Sequence, residues 1–421
     1  MIELFPDTAE LRDGELAVGG VGATELAERF GTPLVVLCEA TLRGRARAFR
    51  GAAPDAEFYF GTKALPNVAV LRILAEEGLG ADVSTLGELA FARAAGLDGG
   101  RLVVHGNNKS DDELAAAAEA GATVVLDAAG EAARAVAAGV RRALVRVTPG
   151  VEADTHASIR TGHHGSKFGL PPDGAVRAVA EAREAGLEVA GLHVHVGSQL
   201  VSATAHEAAA PLLAAVAARC RDELGWTPAV MDAGGGFAVR HVREEPEVDV
   251  AAILARVAAA FREAWRQHGL PEPQLAFEPG RALVGPAGVT LYRVGAVKHA
   301  AAGLPWAAVD GGMSDNPRPQ LYGARYAALA ADRADEEATT DYAIAGKHCE
   351  SGDVLIERAR LPELRPGDLL AVPATGAYTL AMASNYNGVP RPAAILVADG
   401  EARLARRRET VEDLLALESD A

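Results

Sequence analysis

Between Glu57 and Glu278, short apolar runs alternate eight times with longer, alanine-rich segments that have the apolar periodicity of a helix. We predict β-strands at 57–61, 79–83, 102–105, 123–126, 143–147, 189–195, 229–232 and 275–278. Strand–helix units repeated in this way form either a closed (β/α)8 barrel or a doubly wound open sheet. The count of eight favours the barrel.

Polar residues lie at the ends of nearly all of these runs. They are Lys63, Asp82, His105, Asn107, Asp127, Arg146, His195, Asp232, Glu278 and Arg281. In barrels of this type the active site gathers at the carboxyl ends of the strands, where these side chains would converge. A doubly wound nucleotide-binding sheet would concentrate its signature at the first glycine-rich turn instead. The distribution of polar residues therefore supports the barrel as well.

The sequence changes character after Arg281, where glycine and proline become more frequent and the helical periodicity fades. Short β-type runs follow at 289–294, 307–309, 368–372 and 394–397. We predict a barrel domain at 31–283 and a β-rich domain formed by 1–30 and 284–421. Within the barrel we predict helices at 66–78, 85–96, 111–120 and 249–268, and a packed helix over the alanine-rich run 205–219. Their first turns and caps carry Asn67, Ser84, Ser110 and Asp249.

Charge and cysteine content exclude several classes of protein. The formal net charge is −16 at pH 7, which argues against a nucleic acid or an anionic membrane as partner, because both attract a positive surface. Cys38, Cys220 and Cys349 are too few and too scattered for a disulfide framework or a zinc site. The acidic N-terminus, and the lack of a run of about 18 apolar residues, indicate neither a signal peptide nor a membrane span. We expect a cytoplasmic protein.

A lysine and two histidines are the first candidates for chemistry. Lys63 follows an apolar strand, where desolvation would lower its pKa toward that of a nucleophilic, Schiff-base-forming amine. A strand-end lysine that reaches water is the plainer interpretation. His193 and His195 point to the same face of one strand, and suit either a metal or the face of a flat cofactor ring. A metal site needs more ligands than the spacing offers, and His193 alone fits a core histidine.

Two further motifs lie at the ends of the last two predicted barrel strands. The run Asp-Ala-Gly-Gly-Gly-Phe at 232–237 follows the seventh strand, and its bare N–H groups could cradle a phosphate or simply form a tight loop. The run Phe-Glu-Pro-Gly-Arg at 277–281 buries Glu278 at the end of the eighth strand. A carboxylate there could keep a pyridinium nitrogen protonated and make the ring an electron sink, or form a structural ion pair.

Two segments of the predicted β-rich domain are more specific. The run 313–326 contains Arg318, which is available to bind a carboxylate through two hydrogen bonds. The run Cys-Glu-Ser-Gly-Asp at 349–353 sets the Cys349 thiol beside two acids, which suits proton delivery and the recognition of an ammonium group. Tyr378 lies in a glycine-flanked turn. Each could be an ordinary polar loop if it stood alone, but together with the barrel motifs they indicate an active site.

Together these residues resemble the diaminopimelate decarboxylases, which depend on pyridoxal 5'-phosphate (PLP) and have an alanine-racemase-like fold, in one group with ornithine and arginine decarboxylases. The resemblance covers about residues 30–400 and is most specific at 314–319, 349–353 and 383–388 (Ala-Ser-Asn-Tyr-Asn-Gly). It implies an α/β fold with a (β/α)8 TIM-type barrel that binds PLP, plus a C-terminal β-rich domain. It also implies decarboxylation of meso-2,6-diaminopimelate to L-lysine and CO2, the last step of lysine biosynthesis.

The resemblance implies a role for each motif. Lys63 would bond to PLP, His195 would stack on its ring, and Cys349 would donate a proton after CO2 leaves. The complete cofactor set would be Lys63, Asp82, His195, Ser198, Gly234, Gly235, Gly236, Glu278, Pro279, Gly280, Arg281 and Tyr378. The substrate would contact Arg281, Arg318, Tyr322, Glu350 and Tyr378. No metal is expected. The family forms homodimers with shared active sites, in which Cys349 and Glu350 would reach the barrel of the partner.

The nearest alternative is a decarboxylase of ornithine, arginine or a carboxylated polyamine on the same fold. Arg281 and Arg318 with Glu350 would suit the ammonium and carboxylate at the remote end of diaminopimelate better than the single ammonium of ornithine. A racemase is disfavoured, because racemases of this type place an arginine at the ring nitrogen and use a tyrosine base. A catalytically inactive regulator is disfavoured, because Lys63 and Cys349 are both present. A metal-dependent barrel hydrolase is the last alternative.

Overall fold

The computed structural model describes residues 1–150, 166–299 and 301–419. The chain divides into two units, which we describe separately. The barrel unit comprises Arg45–Ala238 and Glu247–Ala282. The β-rich unit comprises Met1–Gly44, Val239–Pro246 and Leu283–Ala421.

Eight parallel strands form a closed barrel in the barrel unit, as the sequence predicted. In chain order they are Glu57–Gly61, Gly80–Val83, Leu102–Val104, Thr123–Leu126, Arg142–Arg146, Glu188–His193, Val230–Asp232 and Gln274–Phe277. The eighth strand closes on the first by pairing Ala276 with Glu57 and Phe277 with Phe58. The predicted bounds are close to the observed ones, and the largest difference is at the sixth strand, which ends at His193 rather than at His195.

The barrel strands are largely buried on both faces, as is typical of a parallel sheet covered by helices. One core cluster spans the third to sixth strands and consists of Val103, Val125, Leu144 and Ala190. The sixth and seventh strands approach so closely that only glycine fits at Gly191. A Cβ atom there would lie 1.9 Å from the carbonyl oxygen of Val230.

Helices follow the barrel strands, and their N-terminal caps match the sequence closely. In chain order the helices are Val68–Glu76, Leu86–Ala94, Asp111–Glu119, Glu131–Ala137, Pro172–Glu184, Thr204–Leu224 and Val250–Gln267. The predicted caps that accept hydrogen bonds from first-turn N–H groups are Asn67, Ser110 and Asp249. The prediction of Ser84 was wrong by one residue, because Thr85 caps the second of these helices. The Ser84 N–H donates instead to the Glu88 carboxylate over 2.7 Å.

The alanine-rich run that we predicted to be a packed helix lies within Thr204–Leu224. This helix continues through Pro211 and packs against Val250–Gln267. It is followed by Gly225, whose left-handed conformation (φ 61°) is common at the ends of helices. Among the described residues, no helix combines the length and the apolar composition that crossing a bilayer requires.

The β-rich unit contains a three-stranded antiparallel sheet and a nine-stranded sheet. The small sheet consists of Glu10–Arg12, Glu15–Val18 and Val21–Gly22. The large sheet consists, in chain order, of Leu34–Cys38, Gly288–Lys298, Trp306–Val309, Leu329–Ala330, Thr340–Ala345, Val354–Leu361, Leu369–Pro373, Ala393–Ala398 and Glu401–Arg406. The long strand Gly288–Lys298 organises this sheet, since it pairs with Leu34–Cys38, Trp306–Val309 and Leu369–Pro373.

Two apolar clusters stabilise the β-rich unit. One contains Leu34, Val289 and Ile395, and the other contains Tyr292, Val309 and Ile344. The remaining α-helices are short or lie near the unit boundary: Ala23–Phe30, Glu39–Ala52, Arg281–Val284, Arg318–Tyr322 and Val411–Leu415. Short 3-10 turns occur at Ile2–Leu4, Thr62–Ala64, Gly99–Arg101, Leu380–Met382 and Tyr386–Gly388. The turn Thr62–Ala64, after the first barrel strand, carries Lys63 of the candidate site.

Candidate active site

Glu278 lies at the carboxyl end of the eighth barrel strand and is held by two histidines. Its side chain is buried, with the residue 7% exposed. Oε1 lies 2.5 Å from His105 Nε2, and Oε2 lies 3.2 Å from His193 Nε2. The two rings contact each other edge to face, with centroids 4.7 Å apart. Asp82 is also close, since its Oδ1 is 3.7 Å from His105 Nε2.

The protonation of this cluster is set by burial and by hydrogen bonds. Burial alone would raise the pKa of Glu278, but charge interactions with His105 and His193, together with the hydrogen bonds from both rings, hold that pKa well below its usual range. Burial lowers the pKa of His105 to about 4, so this ring donates as a neutral imidazole. The pKa values of Asp82 and Asp232 are raised well above their usual range, first by burial and then by repulsion from Glu278. Glu278 is therefore the carboxyl group of the three that ionises first.

The sequence did not reveal that Glu278 is paired with His105 and His193. The sequence leaves His193 open as a metal ligand, a residue against a flat cofactor ring or a core histidine, and it marks His105 only as a polar residue at a strand end. One ligand atom from each of the three residues lies within 4.8 Å of the others, which is close enough to hold a metal ion. The Nε2 atoms of His105 and His193 each already form a hydrogen bond with the Glu278 carboxylate. Hydrogen bonding alone is therefore also enough to account for this cluster.

The glycine turn after the seventh strand has no room for side chains. Gly234 and Gly236 have left-handed φ values of 69° and 101°. A Cβ on Gly235 would lie 2.2 Å from the Glu278 carbonyl oxygen, and one on Gly236 would lie 2.2 Å from the Gly197 carbonyl oxygen. Such a turn keeps its backbone close to neighbouring strand ends and can offer main-chain N–H groups to an anion.

His195 and Ser198 lie next to this turn. His195 Nδ1 accepts a hydrogen bond from the Gly235 N–H over 3.3 Å. Burial lowers the pKa of His195 well below its usual value, and the positive charge of Lys63 adds to this effect. The ring is therefore neutral at physiological pH. Ser198 Oγ lies 3.5 Å from Arg281 Nη2, which donates to it.

Lys63 lies in the 3-10 turn Thr62–Ala64, directly after the first barrel strand. The side chain is exposed, which agrees with the plainer interpretation of a strand-end lysine that reaches water and not with desolvation by this chain. The turn adjoins the segment after the eighth strand, because the Gly61 N–H donates to the Pro279 carbonyl oxygen over 3.2 Å. A Cβ on Gly61 would lie 3.5 Å from the Gly280 Cα. Barrel closure thus brings Lys63 and the Glu278–Arg281 segment to the same end of the barrel.

Buried ion pairs support the neighbouring strand ends. Lys109 Nζ lies 2.8 Å from Glu131 Oε1, and the Lys109 side chain is fully buried. Glu131 also accepts the Asp127 N–H over 2.7 Å, and Asp127 Oδ1 lies 3.6 Å from Arg146 Nη1. Sequence reasoning noticed Asp127 and Arg146 as residues at strand ends but missed Lys109, which follows the third strand in the loop that begins at His105.

Arg318, proposed from the sequence as a carboxylate-binding residue, is the first residue of the helix Arg318–Tyr322 in the β-rich unit. It is 4% exposed, which is rare for arginine. Its Nη1 lies 3.0 Å from His241 Nε2 and donates to the Tyr326 hydroxyl. The guanidinium also lies 5.6 Å from the centre of the Tyr326 ring. These contacts fix its orientation. Tyr322, at the other end of the helix, is half-buried.

The segment that carries Cys349 and Glu350 is exposed, and it contacts the segment 383–388 within the same unit. The Cys349 N–H donates to Asn387 Oδ1 over 3.1 Å, and the Tyr386 hydroxyl lies 3.3 Å from Glu350 Oε2. Tyr378 is half-buried and has a left-handed φ of 58°. For a bulky residue this conformation is strained, as is common at functional sites.

Comparison with known proteins identifies the class first. A family model described as "Pyridoxal-dependent decarboxylase, pyridoxal binding domain" matches residues 39–285, which span the barrel. The barrel residues fit this cofactor on two observations. The glycine turn excludes side chains and can offer N–H groups to a phosphate, and the ionised Glu278 suits a protonated pyridine nitrogen. The molecule is a PLP-dependent decarboxylase.

Relatives narrow the class further. The diaminopimelate decarboxylase of Actinosynnema pretiosum subsp. auranticum is 49% identical to this chain, over 99% of the chain and 95% of the relative. The diaminopimelate decarboxylase of Bacillus subtilis is 41% identical, over 96% of this chain and 95% of the relative. The chain belongs to the diaminopimelate decarboxylase family.

Solved structures agree in fold. The crystal structure of diaminopimelate decarboxylase from M. jannaschii in co-complex with L-lysine has a TM-score of 0.90 and is 30% identical, covering 99% of this chain and 98% of that one. The lysine/ornithine decarboxylase from Vibrio vulnificus complexed with putrescine has a TM-score of 0.76 and is 26% identical. The match covers 89% of this chain and 97% of that one. The predicted fold, a TIM-type barrel with a β-rich domain, is confirmed.

Proposed function

We propose that this enzyme decarboxylates meso-2,6-diaminopimelate to L-lysine and CO2, the last step of lysine biosynthesis. The observation that carries the proposal is the 49% identity over 99% of the chain to a diaminopimelate decarboxylase. A match confined to the barrel would support the cofactor alone. A match over the whole chain also includes the segments 313–326 and 349–353, which hold the proposed substrate contacts.

PLP, when bound, supplies an acceptor for the electron pair that the departing carboxyl group leaves behind. Lys63 would hold the cofactor covalently, and Glu278 would keep the pyridine nitrogen protonated. The main-chain N–H groups of the Gly234–Gly236 turn, with Ser198, would bind the phosphate. The full proposed cofactor set is Lys63, Asp82, His195, Ser198, Gly234, Gly235, Gly236, Glu278, Pro279, Gly280, Arg281 and Tyr378.

Charged side chains hold the substrate in this proposal. Arg318 would bind the remote carboxylate, because its buried guanidinium is already oriented by His241 and Tyr326. Glu350 would bind the remote ammonium. The other proposed contacts are Arg281, Tyr322 and Tyr378. The Cys349 thiol would then donate a proton to the carbon that has lost its carboxyl group.

The direct test is to supply the purified protein with PLP and meso-diaminopimelate, and to measure L-lysine and CO2. We expect equal amounts of both products. Ornithine, arginine and lysine serve as comparison substrates, because the lysine/ornithine decarboxylase shares the fold. Faster release of CO2 from one of these three would overturn the proposed substrate and favour the alternative decarboxylase.

We further propose a cytoplasmic homodimer with shared active sites, in which Lys63 of one chain acts with the partner subunit's Cys349. The exposure of Cys349 and Glu350 supports the shared sites, and the three free cysteines suit a reducing compartment. Lys63→Ala and Cys349→Ala dimers should each be nearly inactive. Remixing them under conditions that exchange subunits should recover part of the activity, because one hybrid site keeps both residues. No recovery, with heterodimers detected by mass, would contradict shared sites.

A further inference from the structure

The segment 383–388 is one of the most family-specific parts of the sequence, yet none of the proposed roles involves it. In the β-rich unit it contacts the residues that bear the proposed chemistry. Asn387 accepts the N–H of Cys349, and the Tyr386 hydroxyl donates to the carboxylate of Glu350. Two neighbouring residues of one loop thus hold two neighbouring residues of another.

The loop that presents these two residues is anchored by Glu409. This carboxylate accepts from the main-chain N–H of Arg391 over 2.9 Å, from the Arg391 guanidinium over 2.8 Å and from Asn385 Nδ2 over 2.8 Å. Asn385 Nδ2 also donates to the Val389 carbonyl oxygen, and Arg391 Nε donates to that of Ala383. Burial alone would raise the pKa of Glu409, but the hydrogen bonds from Arg391 and Asn385 lower it to about 2. The Glu409 carboxylate is therefore ionised at neutral pH.

Asn387 combines two properties, a left-handed backbone and a side-chain acceptor. Its φ of 54° and ψ of 23° are left-handed, and Gly388 follows with a φ of 68°. Asparagine tolerates this region better than most residues with a side chain. Its carboxamide also supplies the oxygen that accepts the Cys349 N–H. Glycine would satisfy the backbone and remove the acceptor, which makes the two properties separable.

We infer that residues 383–391 form a positioning arm, in which Asn387 fixes the main chain of Cys349 and Tyr386 fixes the carboxylate of Glu350. The inference rests on the proposed roles of Cys349 as proton donor and Glu350 as substrate contact. A displacement of about 1 Å at a reacting group can cost a large factor in rate. Asn387 therefore acts on the proton-transfer step, and Tyr386 acts on substrate binding.

Three variants of the holoenzyme separate these effects. Asn387→Gly keeps the left-handed backbone and removes the acceptor, and Asn387→Asp keeps an acceptor oxygen. We expect Asn387→Gly to lower kcat for diaminopimelate about tenfold with little change in KM, and Asn387→Asp to recover more than half of that loss. Tyr386→Phe removes one hydroxyl group and should raise KM about fivefold with little change in kcat.

A second readout does not depend on turnover. Cys38 and Cys220 are buried and Cys349 is exposed, so iodoacetamide labels Cys349 first in the folded enzyme. We expect Asn387→Gly to raise the alkylation rate constant of Cys349 at least about threefold, because the released segment opens more often. Thermal unfolding midpoints close to that of the parent protein show that the fold is kept.

An Asn387→Gly enzyme with the parent's alkylation rate and the parent's kcat would overturn the positioning arm. No recovery in Asn387→Asp would overturn the role of the acceptor oxygen. Failure of the proposed function gives a different pattern. If Cys349→Ala kept full decarboxylase activity, Cys349 would not be the proton donor, whereas faster alkylation in Asn387→Gly would still support an arm that holds this segment.

Discussion

The barrel unit and the β-rich unit hold their proposed active-site residues in different ways. In the barrel, Glu278 is buried and bonded by two histidines, and the glycine turn beside it has no space for a single added methyl group. In the β-rich unit, Cys349 and Glu350 are exposed and each is held by one hydrogen bond from a neighbouring loop.

This difference matches two different tasks. A cofactor that stays in place through every turnover can be enclosed by strand ends, which are rigid and buried. A substrate that enters and leaves must meet groups that solvent can reach, and loops supply such groups. Substitutions at the two places should therefore fail differently: those in the barrel through the cofactor, and those in the β-rich unit through the substrate or the proton.

Lys63→Ala should have the largest effect, because it removes the amine that we assign to covalent attachment. We expect decarboxylation to fall at least about 10⁴-fold, and borohydride reduction to leave no PLP bonded to the chain. Mass spectrometry of the reduced protein measures the attachment. Lys167→Ala is the control, since Lys167 is also exposed and its ammonium lies 4.8 Å from the centre of the Phe168 ring. PLP bonded to Lys167 in the Lys63→Ala protein would move the assignment.

Glu278→Gln tests whether catalysis needs the negative charge that we assign to Glu278 in the buried cluster. We expect kcat at saturating PLP to fall about 10²- to 10³-fold, because a preorganised charge is lost from a water-excluded site. Asp232→Asn is the matched variant. The pKa of Asp232 is raised by burial, and its Oδ1 accepts the Gly234 N–H over 2.9 Å, which asparagine can also do. Its kcat should change less than about fivefold. Equal losses in both variants would contradict the assignment of the charge.

Cys349→Ala tests the other side of the comparison. We expect kcat to fall about 10²-fold, the usual contribution of a positioned proton donor, while the dissociation constant of PLP stays that of the parent protein. Fluorescence titration of PLP into the apoprotein measures the second quantity. A parallel loss of PLP affinity would place Cys349 with the cofactor and weaken the distinction between the two regions.

His206→Phe should change how the free energy of unfolding depends on pH. His206 is buried and stacks on Phe237, with ring centroids 6.1 Å apart. Burial lowers its pKa to about 4, against about 6.5 in the unfolded chain. Below pH 6.5 the unfolded chain binds a proton at this histidine that the folded chain does not. The free energy of unfolding therefore decreases as the pH is lowered. This group should cost the parent about 2 kcal/mol of unfolding free energy between pH 7 and pH 5.

Urea unfolding at the two pH values measures that cost, and His206→Phe should lose correspondingly less stability on acidification. His299→Phe, at an exposed histidine, is the control and should keep the parent's pH dependence. An unchanged pH dependence in His206→Phe would show that the histidine is not held neutral in the fold.

Local patterns explain why the barrel could be predicted from the sequence. The strands are short, largely buried runs such as Thr123–Leu126, and several helix starts carry a polar cap such as Asn67. These signals repeat, so an error at one position does not change the fold. The strand Glu401–Arg406 was missed because it is only partly buried and half of its residues are charged.

The site was less predictable where it depends on contacts that are distant in sequence. The bond between His105 and Glu278 exists only because the barrel closes, and neither neighbourhood contains a sign of the other. Lys63 lies in the 3-10 turn after its strand and is exposed, whereas the apolar run before it left both burial and exposure open. The contact between Asn387 and Cys349 joins two loops with no common periodicity.

The junction between the first and the eighth strand also has a consequence for biosynthesis. The turn that carries Lys63 bonds to the segment after Glu278 through Gly61 and Pro279, so the earliest and the latest parts of the barrel meet at the cofactor site. A ribosome that has released only the first seven strands has made the lysine but neither the carboxylate nor the strand that closes the ring. The barrel's proposed cofactor-binding groups therefore come together only after its last strand has been made.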